Sequence, residues 1–281
     1  MADIAAYKIK DVQLICEWKL TNRRRLFLLL REHLMIARHW FHEGNLALHL
    51  AIQNKCTFRI IARSIETWLQ SLQVLNDDGK LPLHIAIVRL SCFRSLRMII
   101  MSFPAGLRMT YDHMKLSLHD AVGRDKPLDV RIIKMMVRRN HRSVNERTSN
   151  GKNVLHIAPK VKNVPVEIIK YLGNVIRIGA YQEMHSNGMM PLHVACLYQH
   201  ESIVEYVLEK YIGATQIRDR NGKYPFHYAS DRDEHMATQI MHSLLDSFKD
   251  VLRSETNDKS LPLHYYVINN PTTNDKLFFL T

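Results

Sequence analysis

Apolar side chains three and four residues apart recur along the chain in stretches divided by polar turns. Ile203, Val204, Val207, Leu208 and Tyr211 fall on one stripe; Leu96, Ile99, Ile100 and Phe103 form another, and Ile240, Leu244, Leu245 and Phe248 a third. That period is the one with which an amphipathic helix buries a single face. A shorter and almost wholly apolar segment built round a histidine precedes each stripe, as in LPLHIAI at 81–87. Asp78-Gly79, Asn150-Gly151, Asn187-Gly188 and Asn221-Gly222 stand just ahead of such segments, and these pairs suit the positive φ of tight turns. Proline at 82, 191, 225 and 262 opens the segment, where its missing N–H is harmless and its fixed φ fits a first helical turn. The pattern predicts a turn, a short helix and a longer helix, repeated.

The histidine segment occurs seven times: NLALHLA at 45–51, KLPLHIA at 80–86, KLSLHDA at 115–121, NVLHIA at 153–158, MPLHVA at 190–195, YPFHYA at 224–229 and LPLHYY at 261–266. The histidines are His49, His84, His119, His156, His193, His227 and His264, spaced by 35, 35, 37, 37, 34 and 37 residues. A fixed period of this length marks a repeat architecture. One helical hairpin cannot bury both of its faces, so neighbouring hairpins must stack to complete the core.

With the turn glycine, proline, histidine, alanine and paired aliphatics in phase, the chain resembles the ankyrin repeat family, whose period and TPLHxA core are close to these. The best copy is DRNGKYPFHYA preceded by HESIVEYVLEKYIGATQI. The resemblance implies an all-α solenoid of stacked helix-turn-helix hairpins joined by β-turn-like loops. It implies about seven degenerate repeats over 43–281, the last incomplete, after an N-terminal segment 1–42 that holds a half-repeat cap at about 22–42. It also implies that Leu83 and Ala86 are core positions and that His84 and its counterparts bond to backbone near the turns. The family's threonine before the proline is replaced by Leu46, Leu81, Leu116, Asn153, Met190, Tyr224 and Leu261; of these only Asn153 can cap a helix as threonine does. Pro159 should end or distort the fourth short helix. Thr273–Leu280 falls where a seventh long helix should begin, leaving Phe278, Phe279 and Leu280 poorly covered.

Composition narrows the chemistry. Lys and Arg outnumber Asp and Glu by 39 to 27, a formal net charge of +12, which favours an acidic partner, nucleic acid or an anionic surface. Cys16, Cys56, Cys92 and Cys196 form no CxxC pair; with no secretory signal they read as reduced thiols of a cytoplasmic protein, the nucleus being the alternative. The longest apolar run, Leu26–Leu30, falls far short of the roughly 20 residues of a membrane span. Phosphate-loop, dinucleotide, zinc-protease and hydrolase signatures are missing, and His39 and His42 read as a surface pair. No catalytic residue, cofactor or metal site is expected.

Recognition remains. Family resemblance places a partner against the turn tips and the exposed side of the short helices. Four residues before the motif histidine stand Lys80, Lys115, Lys152 and Lys223; five after it stand Arg89, Arg124, Tyr198 and Arg232. These eight positions are the expected partner-binding residues, a basic stripe able to hold an acidic peptide through bidentate arginine contacts and an aromatic anchor at Tyr198. The expected function is a non-enzymatic scaffold for protein partners. One alternative is a nucleic-acid-binding protein using the same charge, although aromatic platforms beside it are few. Another, raised by the end at Thr281, is the repeat region of a larger signalling enzyme or channel.

Overall fold

The computed structural model describes residues 37–161, 164–198, 201–232 and 234–269. The described chain divides into two compact units, one running to Arg124 and resuming at Leu128–Ser143, the other comprising Asp125–Pro127 and the chain from Val144 onward. In the first unit three hairpins pair α1 (Ala47–Gln53) with α2 (Phe58–Thr67), α3 (Pro82–Arg89) with α4 (Phe93–Ser102), and α5 (Ser117–Gly123) with α6 (Val130–Arg139). The second pairs α7 (Val154–Ile157) with α8 (Val166–Val175), α9 (Pro191–Tyr198) with α10 (Glu201–Lys210), and α11 (Pro225–Ser230) with α12 (Glu234–Leu245), and adds α13 (Pro262–Asn269). Among the described residues there is no strand, only an isolated bridge between Tyr111 and Lys115. The fold is all-α, as the repeat predicts.

Within each unit the short, inner helices stack on one another and so do the long, outer ones. Their stripes meet as the periodicity requires: Leu96, Ile99 and Ile100 of α4 and Ile203, Val204 and Val207 of α10 are buried, together with Leu83, Ala86, Leu192 and Ala195 of the inner helices. The leucines that stand in the family's threonine position, Leu46, Leu81 and Leu116, are also buried. Each removes apolar area from water at about 25 cal/mol per Å², which offsets a lost side-chain cap of about 1 kcal/mol. Asn153 keeps the cap, its Oδ1 accepting from the Leu155 N–H at 3.0 Å. Pro159 acts as expected: α7 is one turn long and gives way to a 3-10 turn at Ala158–Lys160.

The turns form a second, hydrogen-bonded layer. In the first unit the Asp77 N–H donates to the Glu43 carbonyl; in the second, Ser186, Arg220 and Asn257 donate to Asn150, Asn187 and Asn221 in the preceding turn. At Gly222, φ is +74° and a Cβ would come within 2.8 Å of the Asn257 nitrogen, so glycine serves both the turn and the ladder. The turn before α5 has no glycine. His113 and Met114 adopt φ of 57° and 58°, and the Tyr111–Lys115 bridge closes that tip instead. The expected half-repeat cap falls largely on residues 1–36, and the segment Thr273–Leu280 lies beyond 269; both are outside the described residues.

Candidate functional site

The motif histidines are the most chemically suggestive groups in the sequence, and the fold occupies them. In all seven copies Nδ1 accepts from the backbone N–H three residues earlier, at 3.0–3.3 Å. In the second unit Nε2 bonds to carbonyls of the next hairpin: His156 to Glu183 and Met189, His193 to Ile217 and Lys223, and His227 to Ser254. Each of these three rings therefore ties a helix start to its neighbour. Desolvation by burial pushes His49, His84, His193 and His227 down to about 4 and His156 to about 3. Held neutral and with both nitrogens committed, His156, His193 and His227 are not free bases for catalysis, and the unpartnered Nε2 of His49 and of His84 is buried.

The expected partner-binding positions lie along the inner helices of each unit and the turn tips beside them. In the first unit Lys80 and Arg89 line one groove with Gln53 from the preceding hairpin and Tyr111 from the following turn. Tyr111 stacks on His84 with ring centroids 4.3 Å apart, and Val88 presents an exposed apolar side chain in the same groove. Acids temper the charge. Lys80 Nζ lies 3.2 Å from Asp78 and Lys115 Nζ 3.7 Å from Asp112. Asp120, on α5, is desolvated enough to raise its carboxyl to about 6 against the opposing charge of Lys80, and its Oδ2 has no hydrogen-bond partner.

In the second unit the lysines meet aromatic rings instead. Lys223 Nζ sits 4.1 Å from the Tyr265 ring centroid and 5.2 Å from that of Tyr228, and Lys160 Nζ lies 5.7 Å from Tyr198. A cation over a ring face is stabilised by the ring quadrupole and stays open to an anion on its outer side. Tyr228 is fixed by its hydroxyl, which donates to the buried Asp219 at 2.5 Å. Asp219 also accepts from the backbone N–H groups of Asn221 and Lys223, so its charge is held inside the turn.

Of the eight expected residues, Lys80 and Arg89 share a groove, Lys115 caps its own turn tip, and Lys152, Tyr198 and Lys223 lie on the inner-helix face of the second unit. Arg124 and Arg232 are engaged structurally, since their guanidinium groups donate to the Leu90 carbonyl at 2.7 Å and the Cys196 carbonyl at 3.1 Å in the preceding hairpin. Positive charge there also suits the C-terminal end of a helix. Offsets of four before and five after the histidine missed Asp120, Tyr228 and Tyr265, all one residue after it, and Lys160, four after it. No group of three or more metal-ligating side chains occurs among the described residues, and none of their helices is long and apolar enough to cross a membrane.

Residues 118–217 match the family model for ankyrin repeats, in three copies. No curated protein matches the chain.

Proposed function

Residues 118–217 are ankyrin repeats, and from that premise we propose that the chain is a non-catalytic scaffold that binds partner proteins through the inner-helix face of each unit, selecting acidic segments. Ankyrin repeats are generally protein–protein interaction modules. The observation that carries the reading is the pairing of lysine with aromatic rings along the inner helices: half-buried Lys223 against half-buried Tyr265 and buried Tyr228, and exposed Lys160 against the exposed Tyr198. Rigid rings give contact area at low entropic cost, while the ammonium groups select for negative charge. In the first unit the salt bridges of Lys80 and Lys115 are exposed and worth about 0–1 kcal/mol each, so an acidic partner can replace Asp78 and Asp112 at small cost. Arg89 supplies a guanidinium with bidentate geometry for a carboxylate.

Capture from a native lysate with the tagged chain, with and without nuclease, tests this reading. A discrete protein retained in both arms is the expected result. Retention that disappears with nuclease would replace a protein partner with nucleic acid, whose phosphates would engage the same lysines.

A further inference from the structure

The outer helices of the first unit present a face that binding through the inner helices leaves unused. Their exposed positions hold six arginines: Arg59 on α2, Arg94 and Arg97 on α4, and Arg131, Arg138 and Arg139 on α6. The three helices carry one acid, Glu66, and Arg63 already pairs with it at 3.4 Å. Asp129, which caps α6, is held by Arg131 at 2.5 Å. The other five arginines form no ion pair with a described residue. Outer helices of this fold do not require such charge. In the second unit α8 and α10 expose Glu167, Glu205 and Glu209 alongside Lys170 and Lys210, so the excess is particular to the first unit.

Three of these arginines are also held in place. Arg94 Cζ lies 4.2 Å from the ring centroid of Phe58 on the preceding outer helix, and Arg131 Cζ lies 4.3 Å from that of Phe93. Arg139 Nη2 is 3.3 Å from the Met101 sulfur. Each guanidinium thus spans two neighbouring helices, and a side chain ordered beforehand loses less freedom when a ligand arrives. Packed helices stand about 8–10 Å apart, so three of them span about 20 Å. That is the rise of about six base pairs at roughly 3.4 Å each.

We propose that this face binds the phosphate backbone of double-stranded DNA without reading its sequence, a function beyond the scaffold reading and independent of it. Charge complementarity is the first argument, since five guanidinium groups without acids meet a polymer with one phosphate about every 3.4 Å of each strand. Arginine's planar fork matches phosphate oxygens better than a lysine does. The face also selects among polyanions. Single strands are held by open aromatic platforms, and here Phe58 and Phe93 are covered by Arg94 and Arg131. Duplex RNA is held in part through 2′-hydroxyls across its minor groove, which calls for a projecting element, whereas a face of packed helices meets outer phosphates. An anionic membrane fits less well, because interfacial helices bury large apolar side chains among the lipids. Of such side chains on α2, α4 and α6 only Met101 is exposed.

The test is fluorescence polarisation of a labelled DNA duplex of about 20 base pairs, titrated with the full chain at several salt concentrations. Saturable binding is expected, equal for unrelated sequences, with a slope of log K against log salt of roughly −4 to −5, about −0.9 for each of five phosphates. Arg97→Gln with Arg138→Gln, both at exposed positions, should weaken binding about tenfold or more and make the slope shallower by about two. Lys80→Gln with Lys115→Gln removes the same charge from the inner face of the same unit and should leave affinity within about twofold, a change the outer-face contacts do not feel. Absence of saturable binding, parent-like binding by the arginine variant, or an equal loss in the lysine variant would overturn the assignment to this face. Polyglutamate, phosphatidylserine vesicles, single-stranded DNA or duplex RNA binding as tightly at the same salt would overturn the choice of DNA. Neither result bears on a protein captured through the inner helices, so the scaffold reading stands or falls separately.

Discussion

A single histidine in each repeat illustrates how a residue that looks catalytic can be structural. The LH pair at its fixed spacing is explained by the bond from Nδ1 to the helix start in every copy and, at His156, His193 and His227, by a second bond from Nε2 to the next hairpin. Such a ring has a consequence for stability. The unfolded histidine titrates near 6.5, whereas the buried His49, His84, His193 and His227 titrate near 4. Their folded pKa values are depressed, so their contribution is complete above pH 6.5 and is lost as pH falls from there towards 4, at about 3 kcal/mol for each ring. Thermal melts between pH 7.5 and 4 should show the melting temperature falling through this window; a flat profile would mean the rings are not held neutral. Asp120 behaves in the opposite sense. Its folded pKa, raised to about 6 by burial, makes the ionised carboxylate a cost that grows as pH rises from 3.8 to 6. Asp120→Asn should therefore raise the melting temperature at pH 7.5 and change it little at pH 4, as measured by the same melts.

At the scale of elements, the sequence pattern was sufficient wherever one chain segment decides its own conformation. The prolines at 82, 191, 225 and 262 each open an inner helix, and the outer-helix stripes are buried along most of their length as the 3.6-residue period requires, with Phe103, Tyr211, Leu245 and Phe248 half-buried at their ends. Legibility failed where the geometry comes from a neighbour. The turn at His113-Met114 is left-handed at both residues although neither residue type signals it, because the Tyr111–Lys115 pairing imposes it. Two non-glycine residues in that conformation cost roughly 1 kcal/mol each. Replacing them with Asn-Gly, the pair this turn type favours, should raise stability by about 1 kcal/mol in urea unfolding with the slope unchanged. Loss of stability would show that the two side chains hold the tip through contacts of their own.

For the molecule as a whole, regular offsets from the histidine located charge on the inner-helix faces but not its context. Lys80 and Lys115 have aspartates two and three residues away in their own turns, a pairing readable in the sequence once distance is considered. Lys223 meets Tyr265, contributed by the following inner helix, and Lys160, set out by a broken helix, meets Tyr198 of the next one. Arg124 and Arg232 share the offset of Arg89 yet reach back to carbonyls of the preceding hairpin, so equal spacing does not ensure equal availability. Lysines on these faces can thus be changed with little effect on folding, whereas the two arginines cannot.

Recognition through the inner-helix faces depends on those lysines, and the affinity of a captured partner for a charge-reversed chain tests it most directly. Isothermal titration should compare the parent with a variant carrying Lys80→Glu, Lys115→Glu, Lys152→Glu and Lys223→Glu. Affinity weaker by tenfold or more, about 1.4 kcal/mol, with the melting temperature within a few degrees of the parent, is the result predicted. Equal affinity in a folded variant would contradict binding through the inner-helix faces.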